Sequence, residues 1–227
     1  MSLYFILVEP AIPENIGASA RAIKTMGFNK LRLVNPCNFK TVKAKQLAHG
    51  SFEILEHAEV FSNFDDAIED IDLIIGTTSK LRRTNADNYD PEEVVEIIKK
   101  KDGLRHNIAI VFGSEEHGLT NIYLRKCDII STIPLANRYP SLNLSQAVMI
   151  YAFILSSLKD IEKSSPAKDL PHLKVIKKNA ETIFNSIEIA TGSTLYNRLM
   201  ERISAAGNDD LNLISSVINK LLEKYSK

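Results

Sequence analysis

In the segment RYPSLNLSQAVMIYAFILSSL, residues 138–158, Ser141, Asn143 and Ser145 alternate with Leu142 and Leu144 at the start of a wholly apolar helix. One small polar side chain is enough to cap such a helix. Three hydroxyl or amide groups set against a buried element point to a bound group as well. A second cluster lies in PENIGASAR, where Arg21 sits among Gly17, Ala18, Ser19, Ala20 and Ala22. Small neighbours leave a guanidinium free to reach a ligand, but they also suit close helix packing, the plainer reading of this segment alone. Asn15 and Arg21 are separated by about 600° of helical rotation and share no stripe; Asn15 reads as the helix cap. In FGSEEHGLT, Gly113 and Gly118 flank Glu115 and Glu116. Glycine there allows close backbone approach or a positive φ, and an ordinary strand-to-helix turn is the alternative. GTTSKLRR adds Thr77, Thr78 and Ser79 ahead of Lys80, Arg82 and Arg83.

Backbone amides and carbonyls on several such loops can grip the edge of an adenine without charged side chains. Together the loops read as a pocket for a nucleoside-like cofactor, leaving Arg21, Ser141 and Asn143 to face a second substrate. Other chemistries lack their signatures. The sequence has no GxGxxG or GxxxxGK[ST] phosphate loop and no GxSxG elbow, and its five histidines have no metal-ligand spacing.

The elements that must carry these loops follow from hydrophobic patterning. Residues 3–8, 31–34, 72–78, 107–113 and 128–134 read as strands, the first a short apolar run of the kind buried on both faces. NIGASARAIKTMG reads as a helix stopped at Gly27, and FDDAIEDI, PEEVVEIIKKK, TNIYLRKC and residues 143–158 as further helices. Strands alternating with helices, without hairpin signals, predict an α/β fold with a mostly parallel sheet covered by helices. Ligands bind such sheets at the carboxyl ends of the strands, where all the unusual loops fall. KDIEKSSPAKDLP reads as a linker, with boundaries at 159–170. Residues 171–227 form an extension of three amphipathic helices, and residues 1–158 the main domain.

The 227 residues suffice for one α/β domain plus a small second unit. No apolar run approaches the length of a membrane span. The N-terminus lacks the pattern of a cleaved leader. Cys37 and Cys127 fit no metal or redox spacing, which predicts a reduced cytoplasmic protein. Net charge is zero, with 28 basic and 28 acidic residues, which argues against a general nucleic-acid-coating protein. The distribution is uneven: residues 15–52 hold seven Lys or Arg and no acid, and residues 53–72 eight acids and no Lys or Arg. These blocks are either two solvated faces or a phosphate-binding patch with its acidic counterpart on the far side.

Three of the loops together resemble the motifs of the SPOUT class of RNA ribose 2′-O-methyltransferases, within it the TrmJ/LasT branch of the TrmH-like family. PENIGASARAIKTMG resembles the first motif, with Asn15 and Arg21 at its polar positions. FGSEEHGL resembles the second, with Glu115, and IPLANRYPSLNLSQAV the third, with Ser141 and Asn143. The likeness spans residues 3–158. It implies a deep trefoil knot, residues 132–145 threading back through the sheet, although general topology rules disfavour knots. It implies S-adenosyl-L-methionine as cofactor, held by Thr77, Thr78, Ser79, Gly113, Ile133, Leu142 and Asn143, with no metal. It also implies a catalytic set of Arg21, Ser141, Asn15, Asn143 and Glu115.

The family mechanism makes Arg21 the proton acceptor. Because guanidinium is a poor base, the alternative is that Arg21 clamps phosphate and stabilises a developing alkoxide. The expected substrate is a single-stranded loop of RNA, foremost tRNA at pyrimidine 32 of the anticodon loop, with ribosomal RNA second. The carboxy-terminal helices resemble a tail that supports a homodimer and RNA binding, but SAAGNDD stands where that tail is arginine-rich. A non-catalytic RNA-binding module and a small-molecule methyltransferase are the competing classes.

Overall fold

Uninterrupted apolar runs build the centre of the molecule. The computed structural model describes residues 2–79, 88–101, 106–137, 141–160 and 173–225. Its strands are β1 (Ser2–Val8), β2 (Leu31–Val34), β3 (Glu59–Phe61), β4 (Leu73–Thr77), β5 (Asn88–Tyr89), β6 (Asn107–Phe112) and β7 (Ile129–Ser131). They form one seven-stranded sheet in the order β3-β2-β1-β6-β4-β7-β5, parallel throughout. The helices are α1 (Pro13–Thr25), α2 (Val42–Ala48), α3 (Phe52–Glu56), α4 (Phe64–Ile68), α5 (Pro91–Lys99), α6 (Asn121–Leu124), α7 (Leu144–Leu155), α8 (Leu173–Ser186), α9 (Thr194–Ala205) and α10 (Asn208–Tyr225), with a 3₁₀ turn at Ser156–Asp160.

Alternate residues of the central strands feed two cores. Leu3, Phe5, Leu7, Ile108, Ile110 and Phe112 face one way, with Ile16 and Ile23 of α1, Val94 and Ile98 of α5, and Val148 of α7. Tyr4, Ile6, Val8, Ala109 and Val111 face the other way, with Phe64 and Ala67 of α4 and Leu124 of α6. Burial on both faces explains why these strands show no polar alternation.

Local signals set the helix ends. Pro13 occupies the first turn of α1, and the helix ends in a Schellman motif: Gly27 (φ 74°) donates to Lys24 O and Phe28 to Ile23 O. Asp90 and Glu93 form a capping box on α5, and Asn143 and Gln146 form one on α7. Small residues in α1 serve packing: a Cβ on Gly17 would collide with the Ala44 carbonyl of α2.

The carboxy-terminal helices dock against the sheet at the edge opposite the unusual loops. Leu173, Ile176, Ala180 and Ile183 of α8 join the first core. Lys177 donates to both Asp128 carboxylate oxygens (2.8 and 2.9 Å) and to Asp72 O (2.7 Å), and Ser204 Oγ donates to Asp128 (3.3 Å). Asp72 and Asp128 immediately precede β4 and β7, so α8 and α9 hold the amino ends of these strands. Buried Lys101 donates to Ala206 O (2.7 Å). Burial pushes its pKa down to about 8, with Lys177 adding to the effect and Asp128 opposing it.

Several expectations need correction. Strands β3 and β5 and helices α2 and α3 are additional to those read from the sequence. The fifth expected strand shortens to Ile129–Ser131, and the 143–158 helix stops at Leu155 before its 3₁₀ turn. Helix α1 begins at Pro13, two residues before Asn15, so Asn15 is not its cap. The charge blocks are not fully segregated. Buried Arg32 pairs with Asp70 (2.5 and 2.9 Å) and Glu59 (3.2 Å), and Lys24 pairs with Glu53 (2.9 Å). The Lys80, Arg82 and Arg83 cluster, residues 138–140 of the third motif and residues 161–170 of the expected linker lie outside the described residues.

Candidate active site

At the carboxyl ends of β4, β6 and β7, the chain leaves the sheet in three loops that meet the segment entering α7. Between them lies a cleft of about 820 Å³, open solvent at its mouth included. Thr77, Thr78, Ser79, Gly113, Ile133 and Leu142 line it, as does Ser141. Asn143, expected in the same pocket, lies just behind the wall as the cap of α7. Beneath, Tyr151 of α7 packs edge-on to Phe112 (centroids 5.5 Å apart) and donates to Ser131 Oγ (2.7 Å). Burial pushes its phenol pKa well above the ordinary tyrosine value, with the Ser131 hydrogen bond partly opposing the shift.

The loop after β6 closes on itself. Ser114 and Gly118 form an isolated antiparallel bridge, with the Gly118 amide donating to Ser114 O (2.8 Å) and Gly118 at φ 64°. A Cβ on Gly113 would overlap the backbone of Gly118 and Leu119. Gly113 is therefore required by its own loop, before any ligand is considered. Thr77 Oγ1 donates to Val111 O (2.8 Å), and the Thr78 amide to Ser131 O (3.0 Å), fixing the rim of β4 to its neighbours.

Residues from all three motifs join in one hydrogen-bonded chain. The Glu115 carboxylate accepts from the amides of Ala11 (2.9 Å) and Ile12 (3.3 Å) and from Asn15 Nδ2 (2.8 Å). It thus sits at the amino end of α1, where negative charge complements the helix dipole and where Ile12 supplies no side-chain cap. Asn15 Oδ1 accepts in turn from Asn143 Nδ2 (2.9 Å). Asn143 Oδ1 accepts from the amide and hydroxyl of Ser145 (2.9 and 2.8 Å), completing the cap of α7. With these atoms engaged in one another, Glu115, Asn15 and Asn143 are suited to positioning the loops. Ser141 is exposed in the cleft. Arg21 is exposed on α1 outside the cleft lining, and its guanidinium makes no hydrogen bond or ion pair among the described residues.

Sequence reasoning missed several lining residues, among them Tyr151, His117 and Leu135. Tyr151 carried a readable signal, being the one hydroxyl inside the otherwise apolar Val148–Leu155 run.

This arrangement can be set beside known proteins. The SpoU rRNA Methylase family matches residues 2–153. The chain belongs to this family and is a methyltransferase. It is 33% identical over 228 residues to the uncharacterized tRNA/rRNA methyltransferase LasT of Escherichia coli (strain K12), covering 100% of both chains. It is 30% identical to the tRNA (cytidine-2′-O-)-methyltransferase TrmJ of Methanocaldococcus jannaschii, over 93% of this chain and 96% of that one. Among solved structures, a probable methylase family protein from Haemophilus influenzae Rd KW20 aligns with a TM-score of 0.67 at 30% identity, covering 99% of this chain and 97% of that one.

Proposed function

We propose that this SpoU-family methyltransferase transfers a methyl group from S-adenosyl-L-methionine to a ribose 2′-oxygen of tRNA. The observation that carries the reading is the Glu115–Asn15–Asn143 chain, which draws the three motif segments to one cleft at the strand ends. The cleft suits the cofactor chemically. Strand-end backbone and the hydroxyl-bearing residues Thr77, Thr78 and Ser79 can hydrogen-bond a nucleoside, while Ile133, Leu135, Leu142 and Leu144 offer apolar walls. The cofactor supplies a methyl group on a good leaving group, so the protein's task is orientation and removal of one proton.

Ser141, exposed at the cleft, orients the ribose hydroxyl. The Arg21 guanidinium, with no internal partner among the described residues, holds the adjacent phosphate and stabilises the developing alkoxide. Within tRNA, the proposed target is pyrimidine 32 of the anticodon loop, where the ribose is accessible. A cytidine ribose of tRNA as the acceptor is supported by the name of the Methanocaldococcus jannaschii relative, a tRNA (cytidine-2′-O-)-methyltransferase. Ribosomal RNA is the second reading, favoured by the family's own description.

The reading extends to the architecture. Residues 1–158 form the methyltransferase domain and 171–227 the helical extension, joined by a 159–170 linker. The trefoil knot expected of the class belongs to this reading as well. The protein works in the cytoplasm, in keeping with its two free cysteines; no helix among the described residues is long and apolar enough to cross a membrane. It acts as a homodimer, for which Phe153, 64% exposed on α7, offers apolar surface.

The test is methyl incorporation from tritium-labelled cofactor into total tRNA and, separately, ribosomal RNA. The reading predicts salt-sensitive labelling of tRNA. Cofactor binding without incorporation would leave a non-catalytic RNA-binding module, and salt-insensitive transfer would point to a small-molecule substrate.

A further inference from the structure

A second cavity opens at the carboxyl ends of β2 and β3, on the same edge of the sheet as the cleft. It measures about 1150 Å³ with its mouth included and is lined by residues 35–40 and 60–62. Its chemistry is specific. Asn35 and Asn38 bring side-chain amides, Val60 (56% exposed) and half-buried Phe61 bring apolar surface, and Lys40 brings the one charge among the described lining residues. The Asn35 side chain and the Lys40 ammonium have no internal partner among the described residues. Asn38 Oδ1 accepts from the Lys40 amide (3.2 Å), and the Asn38 NH₂ group has no acceptor among the described residues. Asn35 stands at φ 45°, its backbone N–H donating to Phe61 O (3.0 Å).

The cavity is also tied to the active cleft. The Cys37 amide donates to Pro10 O (3.0 Å), and the next two amides of that loop, Ala11 and Ile12, are held by Glu115 from the cleft loop. The Cys37 thiol is pushed up first by burial and then by the Glu115 charge, so the two loops lie within electrostatic reach. β2 stands two strands from β6, whose end bears Gly113, roughly 10 Å along the sheet edge. Amides beside apolar surface match a nucleobase, and an unpaired ammonium matches phosphate. A divalent cation finds no carboxylate among the described lining residues.

We propose that this cavity is a second RNA subsite, holding an unstacked base of the substrate on the Asn35 and Asn38 amides and an adjoining phosphate on Lys40. This rests on the RNA methyltransferase reading above. The site selects RNAs that can splay a nucleotide beside the target, because amide contacts to base edges require an unpaired base. It also extends the footprint beyond the ribose being modified, so it distinguishes a folded loop from a short oligonucleotide.

The test uses the full chain with Asn35→Gly and Lys40→Ala combined. Glycine keeps the positive φ while deleting the amide, and Lys40 is exposed, so the fold is retained; an unchanged melting temperature checks this. Binding of fluorescently labelled tRNA is measured by anisotropy across a salt series, alongside steady-state methyl transfer. The expected result is a KM for tRNA raised about tenfold, with kcat and cofactor affinity unchanged. The slope of log affinity against log salt should fall by about one, for the lost phosphate contact. Wild-type methylation with no change of KM or salt slope in the variant would overturn the subsite alone. Failure of the wild type to bind any RNA would overturn the functional reading and the subsite together.

Discussion

Replacing Glu115 by alanine probes the clamp that joins the first two motif loops. The variant loses an acceptor of three hydrogen bonds, from Ala11, Ile12 and Asn15. A hydrogen bond to an ionised group contributes roughly 1.5–3 kcal/mol, and less where water can replace it. Only the Asn15 bond is sheltered, so it counts in full at about 2 kcal/mol. The two exposed amides and the helix-terminus charge together add about 1 kcal/mol. The expected cost is therefore about 3 kcal/mol, which for a chain of this size corresponds to a melting temperature lower by about 6–12 °C.

Thermal and urea unfolding measure the cost directly, with Glu116→Ala as control. That side chain is 82% exposed and has only a 3.8 Å approach to His117, so its removal should stay within about 0.5 kcal/mol. A double-mutant cycle with Asn15→Ala should give a coupling above about 0.5 kcal/mol. If Glu115→Ala is no more destabilising than Glu116→Ala, the clamp does not hold the loops together and the positioning role fails.

Other perturbations test separate parts of the account. Gly113→Ala forces a methyl group into the Gly118–Leu119 backbone; cofactor binding by calorimetry should fall at least tenfold, and retained affinity would show that the loop need not close. Between about pH 8 and 10.5 the unfolded chain binds a proton at Lys101 that the folded chain does not, so folding stability should rise with pH there. The rise, of order 3 kcal/mol, should be absent in Lys101→Met when urea unfolding is compared across that window. Arg21→Lys should raise KM for RNA while keeping substantial transfer at saturation; near-zero transfer at saturation would instead assign Arg21 a stricter part in proton removal.

Much of this architecture was legible because burial leaves a mark. β1, β2, β4, β6 and β7 carry apolar runs at the centre of the sheet, and parallel strands need such runs on both faces. β3 and β5 left no comparable mark: Glu59 and Val60 are exposed, and Asn88–Tyr89 is a two-residue edge strand. The strand order, with β6 inserted between β1 and β4, depends on long-range packing that no local pattern encodes. Asn15 was misread for a related reason. The acceptor that satisfies the start of α1 comes from Glu115, over 100 positions away in sequence, so the local rule named the nearest amide instead. The charge blocks misled because sign and order along the chain do not reveal pairing: Arg32 turns inward to Asp70 and leaves the positive surface. The strand-end loops themselves, by contrast, were legible from patterning, and the three motifs within them from the family resemblance, although the mutual contacts of Asn15, Asn143 and Glu115 emerge only from the fold.

The most direct measurement is nucleoside mass spectrometry of tRNA after incubation with the protein and S-adenosyl-L-methionine. The account predicts 2′-O-methylated cytidine or uridine from the anticodon loop, lost in Ser141→Ala and Arg21→Ala proteins that remain folded. Methylation on a base, or an unmodified tRNA pool despite cofactor bound in the cleft, would contradict it.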